Sequence, residues 1–79
     1  MLITDEEEAL TAEEWLERFA SELGQDAPSR EQVDRLLELA AEAAHSSERI
    51  AAPVACWIGA RSGRPISELL EAARRAGAD

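Results

Sequence analysis

The sequence has no lysine, one cysteine and one histidine, and each scarcity removes a class of function. A single cysteine cannot form an internal disulfide, so a reducing, cytoplasmic setting is expected. One cysteine and one histidine cannot assemble a zinc site, and without lysine or a glycine-rich loop there is no phosphate cradle of the usual kind. No apolar run approaches the length of a membrane span and no basic-then-apolar leader is apparent, so a soluble, cytoplasmic protein is expected. Large apolar side chains are scarce too. Alanine supplies 16 of the 36 hydrophobic positions among 79 residues, which leaves about twenty larger side chains for a thin core of marginal stability.

What is abundant is negative charge. Eight arginines against 17 acids give −9, which repels phosphate backbones and anionic headgroups and argues against nucleic acid or a membrane surface as partner. The charge is uneven: residues 1–24 hold eight acids and one base, and so carry −7 of the total. Asp5-Glu6-Glu7-Glu8 has no periodic apolar partner, so residues 1–9 are expected to be an acidic flexible arm. Residues 10–79 are expected to form one domain.

Capping residues and apolar periodicity mark four helices in that domain. Thr11-Ala12-Glu13-Glu14 is a capping box, and Leu10 with Trp15 completes a hydrophobic staple. Trp15, Leu16, Phe19, Ala20 and Leu23 then form a core-type stripe that stops at Gly24. Ser29 and Gln32 repeat the box before Val33, Leu36, Leu37, Ala40 and Ala44, giving a second helix over about 30–45 that loosens at Ser46-Ser47. Pro53 is tolerated in the first turn of a third helix, where Ile50, Val54, Trp57 and Ile58 share a face up to Gly59 or Gly63. Small residues there permit close approach of a neighbour. Pro65 as first residue, or Ser67 as cap, opens a fourth helix with Ile66, Leu69, Leu70 and Ala73 inward and Arg74-Arg75 at its C-terminal end. The fold class expected is all-α, a compact bundle of four short helices.

The stretch that helix building does not explain is Ala43 to Pro53, which gathers His45, Ser46, Ser47, Glu48 and Arg49. His45 can cap the carbonyls of the second helix. Alternatively, His45 and Arg49 grip an anionic ligand or a partner's carboxylate, since an arginine fork and a titratable donor suit that task. Glu42 and His45 have the spacing of di-iron bundle ligands, but one such pair is a fraction of the set required. Ser46, His45 and Glu48 supply the residue types of a hydrolase triad without the separation in sequence that triads show. Cys56 has no neighbouring base to activate it and is expected to be a small core or boundary residue. Trp15 and Trp57 lie on apolar stripes and read as core, with an exposed indole edge as the alternative.

In size, charge and helix count the chain resembles acyl carrier proteins, whose phosphopantetheine is carried on a serine within Asp-Ser-Leu. Here Ser29 lies in Pro28-Ser29-Arg30 and Ser46-Ser47 precedes Glu48-Arg49, so the attachment motif is missing. A nearer resemblance rests on Trp15-Leu16, Leu23-Gly24, Leu36-Leu37-Glu38-Leu39-Ala40, Ala44-His45, Arg49, Ala51-Ala52-Pro53 and Gly59. In that order and spacing they are similar to small, uncharacterised helical domains of high-GC actinobacteria. The likeness covers roughly residues 12–75, with Ser47 in place of the family's valine and Ile50 in place of its first proline. Such domains look like stand-alone proteins or C-terminal appendages of molybdopterin guanylyltransferase-like enzymes, and the resemblance implies an accessory role in molybdenum-cofactor assembly. The function expected is therefore a non-catalytic accessory or protein-interaction domain without metal or cofactor. His45, Arg49 and Trp57 are its expected contact residues, a molybdopterin nucleotidyltransferase its expected partner, and a homodimer its expected self-association. An acyl-carrier-like protein, or a small ligand-binding domain using the His45 and Arg49 joint, are the alternatives.

Overall fold

The computed structural model describes residues 10–78, so the expectation for residues 1–9 lies outside the described part. Four helices follow one another: α1 (Ala12–Glu22), α2 (Arg30–Ser46), α3 (Ala51–Ser62) and α4 (Ile66–Gly77). No strand occurs among the described residues. The expected all-α bundle of four short helices is what the chain forms. None of the helices is long and apolar enough to cross a membrane.

Both expected capping boxes close. The Glu14 amide donates to Thr11 Oγ1 at 3.0 Å and the Thr11 amide to Glu14 Oε1 at 3.0 Å. The same exchange links Gln32 and Ser29 at 3.1 and 2.8 Å. Each box satisfies two amides that a helix start would otherwise leave unpaired. The stop of α1 is equally legible. Gly24 adopts φ 71°, and the Gln25 and Gly24 amides return to the carbonyls of Ala20 and Ser21, the doubled closure of a Schellman motif. Helix α2 ends where its serines intervene, with Ser47 Oγ donating to the Ala43 carbonyl at 2.9 Å. Of the two glycines that could close α3, Gly63 does so, at φ 72°. Pro65 is the N-cap of α4 rather than its first residue, and Ser67 lies inside the helix.

Helix α2 is the hub, packed against both α3 and α4. It runs parallel to α4, with Glu31 and Arg35 beside Pro65 and Ile66 at one end and Ser46 beside Gly77 at the other. At two of the contacts an added Cβ would force a neighbouring side chain to move. A Cβ on Gly59 of α3 would stand 2.7 Å from Leu69 Cδ1 of α4, and one on Gly77 would stand 2.9 Å from Ser46 Cβ. Gly77 therefore serves the crossing of α2 and α4 and is not a left-handed stop.

The close approach is obtained with small side chains, and this reverses part of the expected core. Ala51, Ala52, Ala55, Cys56 and Gly59 form the covered side of α3. Ile50, Val54, Trp57 and Ile58, expected to face inward, are 54 to 74% exposed. A helix can bury its larger face or approach its neighbour closely; α3 does the second. Leu39, outside the expected stripe, is the most buried side chain of α2, whereas Leu37 points to solvent. The cause is that α2 has two neighbours and so buries two adjacent sectors rather than one stripe. Leu70 is the buried centre of α4, with Ile66, Leu69 and Ala73 half-covered around it, as expected.

Helix α1 sits at the N-terminal end of α2. Leu16 faces Ala27, Pro28 and Val33 across a shallow hollow, and Glu13 meets Arg30 at 3.2 Å. Both partners of that ion pair are largely solvated, so it contributes about 1 kcal/mol at most. Trp15 and Phe19 stack at 4.9 Å yet remain about half exposed, and Leu23 is 57% exposed. The expectation of Trp15 in a core is corrected: its stripe turns outward, and Leu16 and Ala20 are the covered residues of α1.

Three consequences can be measured by chemical denaturation and circular dichroism. Ser29→Ala, which uncaps the hub helix, lowers global stability by about 1 kcal/mol. Thr11→Ala lowers helical signal but leaves the unfolding midpoint nearly unchanged, because α1 is so lightly attached. Gly59→Val, which pushes α3 off Leu69, costs about 1–3 kcal/mol.

Candidate functional site

The joint between α2 and α3 spans Ser47 to Ile50. Its backbone turns because the amides of Ala51 and Ala52 bond to the carbonyls of Glu48 and Arg49 at 2.9 and 3.1 Å. Serine hydroxyls take the polar duties expected of His45: Ser47 caps Ala43, and Ser46 Oγ lies 3.4 Å from Glu42 Oε2. His45 and Arg49 are both exposed, and among the described residues neither side chain has a hydrogen-bond or ion-pair partner. The capping interpretation of His45 is therefore corrected. Two uncommitted polar side chains flank one exposed turn.

Beyond the turn the same surface continues along α3. Ile50, Val54 and Trp57 follow at i, i+4 and i+7, and Arg61 at i+11 completes the row. Arg61 lies over the Trp57 ring at 4.5 Å, a cation–π contact that holds the indole against the helix while leaving it 60% exposed. From Arg49 to Ser67 there are three arginines and no acid. A chain of net charge −9 thus presents one apolar row with a positive charge at each end.

Among the described residues no three of His, Cys, Asp and Glu converge as metal ligands. Glu42, the partner in the Glu-x-x-His spacing, faces Arg74 at 4.0 Å and Ser46. Among the described residues, the grooves walled by Leu39, Ala55, Gly59 and Leu69, by Ser46, Ala73 and Gly77, and by Arg35 and Pro65 do not include His45, Arg49 or Trp57. What composition could not disclose was the outward row itself. Its only sequence signal was the matching run of small residues on the opposite side of α3.

Cys56 belongs to that small-residue side. Burial pushes its thiol above the ordinary range by penalising the thiolate, in keeping with an inert boundary residue. Alkylation of the folded chain by iodoacetamide is then slower than that of an exposed thiol. The rate keeps climbing with pH after an ordinary thiol has levelled off, because less thiolate is present at any given pH. Urea abolishes the difference. A folded-state rate equal to that of free cysteine would contradict the assignment.

The chain belongs to the family described as Domain of unknown function (DUF6457), which matches residues 6–78. No curated protein and no solved structure matches it.

Proposed function

We propose that this domain of unknown function is a non-catalytic protein-interaction domain that docks through the outer row of α3. One observation carries the reading: Ile50, Val54 and Trp57 stand exposed in line, between Arg49 at one end and Arg61 at the other. Isolated exposed apolar residues are ordinary on a small protein, but a contiguous row with a large aromatic marks an interaction surface. Tryptophan and arginine are also the side chains that most often dominate binding energy, because both bury much area at low entropic cost. The surface fits a partner with an apolar stripe bordered by carboxylates. The fixed guanidinium of Arg61 and the unpaired one of Arg49 offer forked donors to such groups.

His45 extends the contact at the α2 end of the turn. Its exposed ring adds a donor beside Arg49 without any structural duty to lose. The resemblance to domains appended to molybdopterin guanylyltransferase-like enzymes in actinobacteria makes such an enzyme the first partner to try, and the proposed role is that of a cytoplasmic accessory to molybdenum-cofactor assembly. Catalysis by the domain itself is not part of the proposal.

The test is binding of the purified chain to a molybdopterin guanylyltransferase, followed by titration calorimetry. Trp57→Ser and Arg49→Glu should each weaken capture by about tenfold or more, which corresponds to at least 1.4 kcal/mol. Helical signal should be unchanged, since neither side chain supports the fold. His45→Ala should have a smaller effect. Variants that bind like the parent chain would exclude the row as the docking surface.

A further inference from the structure

Helix α3 is apolar on every side. From Ile50 to Ala60 eleven consecutive residues carry no charge, hydroxyl or amide in their side chains, whereas α1, α2 and α4 each present charged residues to solvent. A helix of that composition is ordinarily enclosed. Here only its small-residue side is covered, and the larger side chains of Ile50, Val54, Trp57 and Ile58 remain outside.

The outward side has the spacing of a helix–helix seam. Ile50, Val54, Trp57 and Arg61 follow one another in steps of four, three and four residues, the alternation of the two inward positions of a heptad. Ile50 takes part although it precedes the first residue of α3, because its backbone is already right-handed helical at φ −67° and ψ −15°. Pro53 and Ala60 flank the row on one side, exposed and small, so a second helix lying along it meets no bulky side chain there. Ile58 widens the apolar strip on the other side. At 1.5 Å per residue the row is about 16 Å long, or roughly three helical turns.

Charge decides which kind of helix fits. Arg49 and Arg61 close the two ends, and no acid lies between Arg49 and Ser67. Glu48 adjoins Arg49 in the turn, whereas Arg61 has no ion-pair partner among the described residues. A second copy of this chain is a poor occupant. Two rows packed antiparallel on a two-fold axis set Arg49 against Arg61, and two packed parallel set each arginine against its twin. Like charges facing each other across a contact are penalised, and arginine cannot release a proton to relieve them.

We propose that the occupant of the α3 row is a single amphipathic helix of a partner protein, lying lengthwise in heptad register with carboxylates at both ends of its apolar stripe. The proposal rests on the reading of this row as the docking surface and adds the form and charge of what docks there. Such a helix completes the enclosure of α3 and meets both guanidiniums with acids.

Two synthetic peptides about two heptads long, held helical by an internal cross-link, test it. They share leucines at the inward positions and differ only in bearing glutamate or lysine at both ends. At physiological salt, charges beyond about 8 Å are largely screened, so the chain's net −9 does not decide the outcome. By titration calorimetry the glutamate peptide should bind about tenfold tighter than the lysine peptide, and a chain carrying both Arg49→Glu and Arg61→Glu should reverse that order. In a Trp15→Phe background, where Trp57 is the remaining tryptophan, its emission should move to shorter wavelength as the glutamate peptide is added. Absence of binding, equal affinities, or an order that the double variant leaves unchanged would overturn the acidic helix. So would a parent chain that sediments as a dimer and becomes single on Val54→Glu, since a second copy would then be the occupant. The underlying reading fails separately: glutamate-peptide binding that persists in the Val54→Glu chain removes the row as the docking surface. Binding that Val54→Glu abolishes but that shows no charge preference keeps the row and overturns the acidic helix alone.

Discussion

The structure depends on one constraint: the helices approach at distances that only small side chains allow. Gly59 against Leu69 and Gly77 against Ser46 set the spacing, and the alanine side of α3 follows from it. Dispersion at such close contacts substitutes for the larger hydrophobic payload that a leucine-rich core would supply. The consequence appears on the opposite side of each helix. Once alanine and glycine occupy the interior, isoleucine, valine and tryptophan have no interior left to enter. The exposed row of α3 is thus the geometric complement of its close packing.

That relation explains which parts of the fold could be read from the residues. Helix ends were legible because caps are local. Thr11 with Glu14, Ser29 with Gln32 and the glycine at 24 act within a few residues of themselves, and each did what its chemistry requires. The orientation of the helices was less legible. Periodicity places Ile50, Val54, Trp57 and Ile58 on one face of α3, but it does not say whether that face or the alanine face meets α2. Leu39 escaped for a related reason: a stripe template assumes one neighbour, and α2 has two.

The joint divides in the same way. That Ala43 to Pro53 holds polar residues without a role in helix formation was visible in the sequence, and His45 and Arg49 are indeed free of partners among the described residues. That Ser47 rather than His45 takes the Ala43 carbonyl depends on the backbone geometry of the turn. Trp57 was singled out as an aromatic on a stripe; its pairing with Arg61 four residues on was not anticipated, although the helical spacing permits it. Family membership adds a boundary to these readings without adding a role, because the matched family is itself one of unknown function.

A covered side of α3 already made mostly of alanine also changes what mutational scanning of that helix can report. In most proteins, replacement by alanine carves cavities in the core, and the resulting loss of stability obscures binding effects at the surface. Here the covered side of α3 offers almost nothing to truncate. The large side chains that a scan of α3 would shorten, Val54, Trp57 and Ile58, face solvent. An alanine scan of this helix therefore approximates a map of its outer contacts, and information about its packing must come from the opposite direction, by enlarging residues.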